Sequence, residues 1–388
     1  MRRGARLVKP LYTAEDAEGA LSLLEPHPFN ERTAVTEDID VRFLRAGHIL
    51  GAASLEVWIK DGDYCRKLVL SGDVGRTTDP LLRDPEPPQE ADLLLLESTY
   101  GGRDHLGAED SIEEFARVLR DAAEGGENVV IPSFAVGRAQ ELLYTIAELE
   151  RSDQVPVRPV YFDSPMAIRV TELYPRHPNC FEGAPESVRA LDPKQLRICR
   201  TPDESMAINN RQGVIILSAS GMCDAGRIVH HLKHNLWRPG SHVVIVGFQA
   251  AGTRGRALVD GARHVRIHGE EIAVRAQIHT IGGFSAHAGQ SELLEWASST
   301  VSSGARIAVV HGESSESAAL RSRLVTQTKA TVFLPEQGDT AVIRRRGEPV
   351  SFLKAIETAS RRTSRRTSSA RRTSRQERRS VPTKRSRT

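Results

Sequence analysis

The chain has 388 residues, of which 27% are charged and only 5% aromatic, with a formal net charge of +3. Residues 361–388 carry twelve Lys or Arg against one acid, which leaves residues 1–360 at −8 and excludes a uniformly basic nucleic-acid-binding body. No apolar run approaches the roughly 20 residues of a membrane helix. The N-terminus also lacks the hydrophobic stretch of an export signal. Cys65, Cys180, Cys199 and Cys223 lie far apart without a CxxC pair, which argues against a disulfide framework or a thiolate zinc site. The expectation is a cytoplasmic protein of about two domains, without a membrane partner.

Thr13-Ala-Glu-Asp opens a helix with a capping-box-like start, and Ala17, Ala20, Leu21 and Leu24 follow at helical spacing. Between Val41 and Asp73 the pattern becomes that of strands: Leu55, Val57 and Ile59 alternate, Gly62-Asp63 reads as a turn, and Leu68-Val-Leu70 runs into Ser-Gly-Asp73. Leu93 to Leu96 reads as a strand covered on both faces, ending in Glu97-Ser-Thr-Tyr-Gly-Gly. Beyond Arg103, helices over Ser111 to Ala123 and Arg138 to Leu149 alternate with short strands. Those strands lie at Val129 to Ile131, Val160 to Phe162, Val214 to Leu217 and Val243 to Val246, the signature of a parallel α/β sheet. Ile307 to Val310 ends at His311, and Thr331 to Leu334 makes a late strand. His230, His231 and His234 share helical spacing and are expected on a solvated helix face. In the tail, RRTS recurs at 361, 365 and 371 without large apolar residues, which predicts disorder. Such a tail is a candidate RNA or DNA tether whose grip weakens with salt.

His48, Asp73, Glu97 and His311 each stand just after an apolar run, and in open α/β sheets ligands bind beyond the carboxyl ends of strands. Singly, a turn cap or a hydrogen-bonded core histidine explains each of them. Their weight comes from ordered strings: AGHILGA, SGDVG, ESTYGGRDH, IPSFAVGRAQELL, DSPMA, SASGMCDAGRIVHHLKHNL, GFQAAGTRGR, IHTIGGFSAHAG and VVHGE. In this order they resemble the β-CASP branch of the metallo-β-lactamase superfamily, which contains RNA-processing nucleases and a few DNA-repair nucleases. The resemblance spans roughly residues 8–345.

The resemblance implies an α/β fold, a truncated metallo-β-lactamase αββα sandwich carrying an inserted α/β β-CASP domain. Residues 1–104 and 281–358 are expected to form one N-terminally incomplete metallo-β-lactamase domain, the second part being its RNA-specificity segment. Residues 105–280 would be the insertion, and 359–388 a disordered basic tail. It further implies a zinc-dependent ribonuclease whose complete site holds two ions. His48 would hold one zinc, His311 the other, and Asp73 would bridge them; Glu97 would orient His287, which protonates the leaving oxygen. Ser133, Arg138, Ser218 and Ser220 sit in loops that could meet RNA phosphates, although loop-stabilising hydrogen bonds explain them equally well. Single-stranded RNA is the expected partner and a homodimer a candidate assembly; nothing in the sequence separates RNA from DNA.

The departures are as informative. Only 47 residues precede His48, His27 is the sole histidine among them, and the family's HxHxDH loop is absent. Each zinc would then have two protein ligands where a catalytic zinc usually has three, so weak or partial occupancy and little hydrolysis by this chain are expected. Gly289 stands where many relatives carry aspartate after SAHA. Alternatives are a metal-deficient RNA-binding or scaffolding paralogue and, opposed by the insertion, a small-molecule metallo-hydrolase.

Overall fold

The computed structural model describes residues 10–77, 79–105, 107–181, 191–344 and 348–354; the expected basic tail lies outside them. Helix α1 (Ala14–Leu21) opens with the anticipated capping box between Thr13 and Asp16. It stops before Leu24, and its apolar stripe buries nothing: Leu21 and Leu24 are exposed. Helical spacing was enough to make the helix, but the described residues supply no surface for that stripe to pack on.

The first sheet contains β1 (Thr33–Ala34), β2 (Ile39–Arg45), β3 (Ala53–Asp61), β4 (Tyr64–Leu70), β5 (Leu93–Leu96), β14 (Arg306–Val309) and β15 (Val332–Phe333), neighbours in that order. Strands β1 to β4 pair antiparallel, while β4, β5, β14 and β15 run parallel. Helices α8 (Gln290–Ser302) and α9 (Ser314–Thr328) cover one face, setting Leu293, Trp296, Leu320 and Leu324 against Val69, Leu94, Leu96, Ile307 and Val309. On the other face, Leu93 and Ala308 pack with Val350 and Phe352, beside the hairpin of β16 (Thr340–Val342) and β17 (Ser351–Leu353).

The second sheet is parallel throughout, as the alternating helices and strands predict. Its order is β13 (Gln277–Ile281), β10 (His242–Val246), β6 (Val129–Pro132), β9 (Ile215–Ser218), β7 (Val160–Phe162) and β8 (Leu196–Ile198). The pleat sorts its apolar runs between two cores. Val129, Ile131, Ile215, Leu217, Val244 and Val246 face α2 (Ala108–Glu124) and α3 (Arg138–Arg151). Val130, Ile216, Val243 and Ile245 face α6 (Ile228–Asn235) and α7 (Arg254–Val259). These strands are covered on both sides, hence near-continuous hydrophobic sequence without polar alternation. Among the described residues no helix is long and apolar enough to cross a membrane.

Two glycines bring the AGHILGA and SGDVG loops into backbone contact. Gly75 donates its N–H to the Ala46 carbonyl at 2.6 Å. A β-carbon at 75 would collide with the Gly47 carbonyl group and stand 2.6 Å from the His48 nitrogen. Gly75→Ala must therefore separate two main chains and is expected to lower unfolding stability by about 2 kcal/mol or more. Gly19→Ala, with nothing near its added methyl, serves as the control and should be neutral or slightly stabilising. Guanidinium unfolding of both variants checks this.

Candidate active site and metal centre

Strands β2, β4, β5 and β14 all point the same way, so the residues that follow them emerge at one edge. His48 follows β2, Asp73 follows β4, Glu97 follows β5 and His311 follows β14. The carboxyl ends of the second sheet contribute Phe134, Met166, Met222 and Phe248 to the same cleft, of about 700 Å³. His48, Asp73, His287 and His311 line it together with Arg138.

Asp73 sits between two imidazoles. Its Oδ2 lies 3.8 Å from His48 Nε2 and its Oδ1 lies 3.1 Å from His311 Nδ1. Two zinc donors at about 2.0–2.1 Å and a near-tetrahedral angle stand about 3.3 Å apart; the His311 separation matches this, the His48 one would have to close by about 0.5 Å, and the donor chemistry fits zinc. Burial, reinforced by the neighbouring His287, pulls the His48 pKa below its ordinary value against the opposing pull of Asp73. The neutral imidazole is the form that ligates. His311 holds a left-handed φ of 49°, uncommon for a residue with a β-carbon. Its carbonyl accepts the Ser98 N–H at 3.2 Å, and a β-carbon on Gly312 would stand 2.5 Å from the Ser98 oxygen. The turn presenting His311 is thus built against the loop after β5.

Glu97 is almost wholly buried. Its Oε1 accepts the Val74 N–H at 2.7 Å and lies 3.1 Å from His287 Nδ1; Oε2 accepts the Thr99 N–H at 3.2 Å. Burial alone would raise its pKa, but these hydrogen bonds, with His287 first, outweigh it and hold the carboxyl below its usual range. The His287 ring lies 4.4 Å from that of His48 and 6.2 Å from that of His311, centroid to centroid. His287 and Glu97 come close enough to complete a third donor position on either side of Asp73, but each is already engaged by the other. That contact uses Nδ1 of His287; with the Glu97–His287 pair reserved for proton transfer, the remaining described site residues offer two protein donors per side.

At Gly289 an added β-carbon would stand 2.9 Å from the Asp104 carboxylate, so aspartate would press one acid on another here. Glu292 instead accepts the Gly289 N–H at 2.8 Å, and the His287 carbonyl is held by His105 Nε2 at 2.8 Å.

The four residues expected near phosphates separate. Arg138 lines the cleft but is buried and ion-paired with Glu141; burial pushes its guanidinium down to about 10, still cationic at neutral pH. Ser133 is buried off the cleft wall, and Ser218 is fully buried, donating to the Asp163 carbonyl at 2.7 Å. Ser220 is partly exposed and accepts the Ala225 N–H at 3.4 Å. Helical spacing misled for His231: only His230 and His234 reach solvent, whereas His231 is buried with Nε2 2.6 Å from Asp163 Oδ2. Asp163 also accepts from Ser205 Oγ at 2.5 Å and from Arg227 at 2.6 Å. This network ties the end of β7, which leads into helix α4 (Pro165–Thr171) and Met166, to the loop carrying Met222. Its signal was the acid of DSPMA, which spacing could not connect to a histidine 68 residues away.

The Beta-Casp domain model matches residues 139–258, and the model for a Zn-dependent metallo-hydrolase RNA specificity domain matches residues 271–335. The chain is 39% identical over 321 residues to Ribonuclease TTHA0252 of Thermus thermophilus, covering 80% of this chain and 71% of that protein. It is 31% identical over 330 residues to an RNase J-like protein of Methanocaldococcus jannaschii, covering 84% and 76%. Transcription termination factor FttA of the same archaeon is 30% identical over 324 residues, with half of its length spanned. The chain belongs to the β-CASP family of metallo-β-lactamase-type RNA nucleases.

Burial would raise the Asp163 pKa, but its hydrogen bonds, with His231 first, lower it overall. A depressed folded-state pKa stabilises above the unfolded value of about 3.9 and ceases to as pH falls through the folded one. Asp163→Asn should cost about 3 kcal/mol at pH 7. The gap to the parent should close in denaturant titrations taken progressively below pH 4.

Proposed function

We propose that this chain is a metal-dependent ribonuclease that cuts within single-stranded RNA. One observation carries it: a carboxylate shared by two imidazoles on one side of a cleft, with a buried Glu–His pair beside it. His48 and Asp73 would hold one zinc and Asp73 and His311 a second. Bound zinc supplies Lewis-acid stabilisation of phosphoryl oxygens and a nucleophile at neutral pH. The protein's own groups divide the remaining work. The Glu97 carboxylate takes the Nδ1–H of His287, which aims Nε2 at the cleft and stabilises the imidazolium. His287 then gives its Nε2 proton to the oxygen that leaves phosphorus. Arg138 stands in the cleft wall with its charge already paired to Glu141.

The two-sheet architecture supports assigning residues 1–104 and 281–358 to the catalytic domain and 105–280 to the insertion. Retention of the Glu97–His287 pair beside Asp73 favours an enzyme over a metal-deficient scaffold, because a carboxylate that orients an imidazole toward the cleft serves proton transfer. With two remaining donors per side, this polypeptide is expected to hold zinc weakly and to cleave slowly.

Zinc titration followed by dialysis should leave fewer than two ions per chain; two tightly held ions would contradict the donor count. End-labelled single-stranded RNA should give internal fragments that a chelator abolishes. His287→Ala should slow their formation by about 10²–10⁴-fold, and Asp73→Ala should abolish it. Fragments that form equally well with chelator present, or with His287 removed, rule out the mechanism.

A further inference from the structure

We propose that Phe134 is a stacking shelf for one nucleobase of the RNA whose phosphate is cut; the proposal rests on the ribonuclease reading above and names a subsite within it. Phe134 is the first cleft-lining residue after β6, and 44% of its surface is exposed. It belongs to none of the buried clusters of the described residues. A phenylalanine that served only the core would be covered.

The open ring is nevertheless held. A β-carbon at Gly221 would stand 2.8 and 2.9 Å from Phe134 Cδ2 and Cε2, so the ring edge leans on bare glycine backbone. Gln249 Nε2 donates to the Gly221 carbonyl at 3.1 Å and fixes that support. The main chain on either side of the Phe134 ring is pinned as well: the Ser133 N–H donates to the Ser218 carbonyl at 3.0 Å, and the Phe134 carbonyl accepts the Ala139 N–H at 3.2 Å. Its distance from the histidines is set by a further close approach. Gly137 has a φ of 80°, and a β-carbon there would stand 2.7 Å from Ile49 Cγ2, one residue beyond His48. The ring is thus immobilised along one edge, open to the cleft, and in fixed register with the proposed metal ligands.

A cleft that sets imidazoles and a guanidinium beside an open aromatic face matches single-stranded nucleic acid, which offers a phosphate and a flat base at every nucleotide. Every base has a π-face, so the shelf selects unpaired strand over duplex and tolerates any sequence.

The test uses oligoribonucleotides in which 2-aminopurine, quenched when it stacks, is moved one nucleotide at a time. They are bound to the full chain in chelator, so binding is read without cleavage. With the parent protein one position should be quenched. Phe134→Leu should lose that quenching and bind on the order of 5- to 100-fold more weakly. Phe134→Trp should restore both, and Gly221→Ala, which displaces the ring, should weaken both. Matched unfolding midpoints for Phe134→Leu and Phe134→Trp would separate loss of the shelf from loss of the fold. Unchanged quenching and affinity in Phe134→Leu overturn the proposal. If the parent binds RNA and zinc-dependent cleavage is present, but no position is quenched, the shelf alone falls. If the parent neither binds RNA, with zinc or without it, nor cleaves it, the ribonuclease reading falls and takes the shelf with it.

Discussion

The site depends on the carboxylate of Asp73 reaching two imidazoles at once. That requires β2, β4, β5 and β14 to end at the same level, and their pairing provides it: Leu70 stands opposite Leu95, and Leu96 opposite Val309. A slip of one residue would turn each apolar strand face over and carry the functional residues with it. Register is therefore enforced by the same Val and Leu side chains that make the core. The last few ångströms are set by backbone, where Gly75 meets Gly47 and Gly312 meets Ser98.

Around that carboxylate the chain accumulates groups that do little for stability. Glu97 is a charge in an almost dry position, His311 occupies a left-handed conformation uncommon for a residue with a β-carbon, and three imidazoles crowd one wall. Hydrogen bonds from Val74, Thr99 and His287 compensate Glu97. Asp163, Arg227, His231 and Ser205 form a second buried polar network. Its task is structural: it joins two cleft loops across the sheet from which both emerge.

Much of this was legible in the sequence. Short, doubly covered strands announced a parallel sheet, and the positions of His48, Asp73, Glu97 and His311 after apolar runs placed them at strand ends. Ordered strings, more than any one motif, tied those ends to a known site. What spacing could not convey was the partner across the fold. His231 looks like its neighbours on the helix until Asp163 is placed against it, Ser218 looks like a loop hydroxyl until its bond to the Asp163 carbonyl appears, and α1 has a helical stripe with no surface to meet. In the sequence Phe134 is only one letter of a string, because openness is a property of the surrounding backbone and of Gly221 in particular.

In the proposed site Asp73 joins two metal positions, one with His48 and one with His311. Anomalous diffraction at the zinc edge from zinc-soaked crystals of this chain tests it most directly. Density is expected within coordinating distance, about 2 Å, of an Asp73 oxygen and of a nitrogen of His48 or His311. Zinc bound elsewhere, with Asp73 bare, would contradict it.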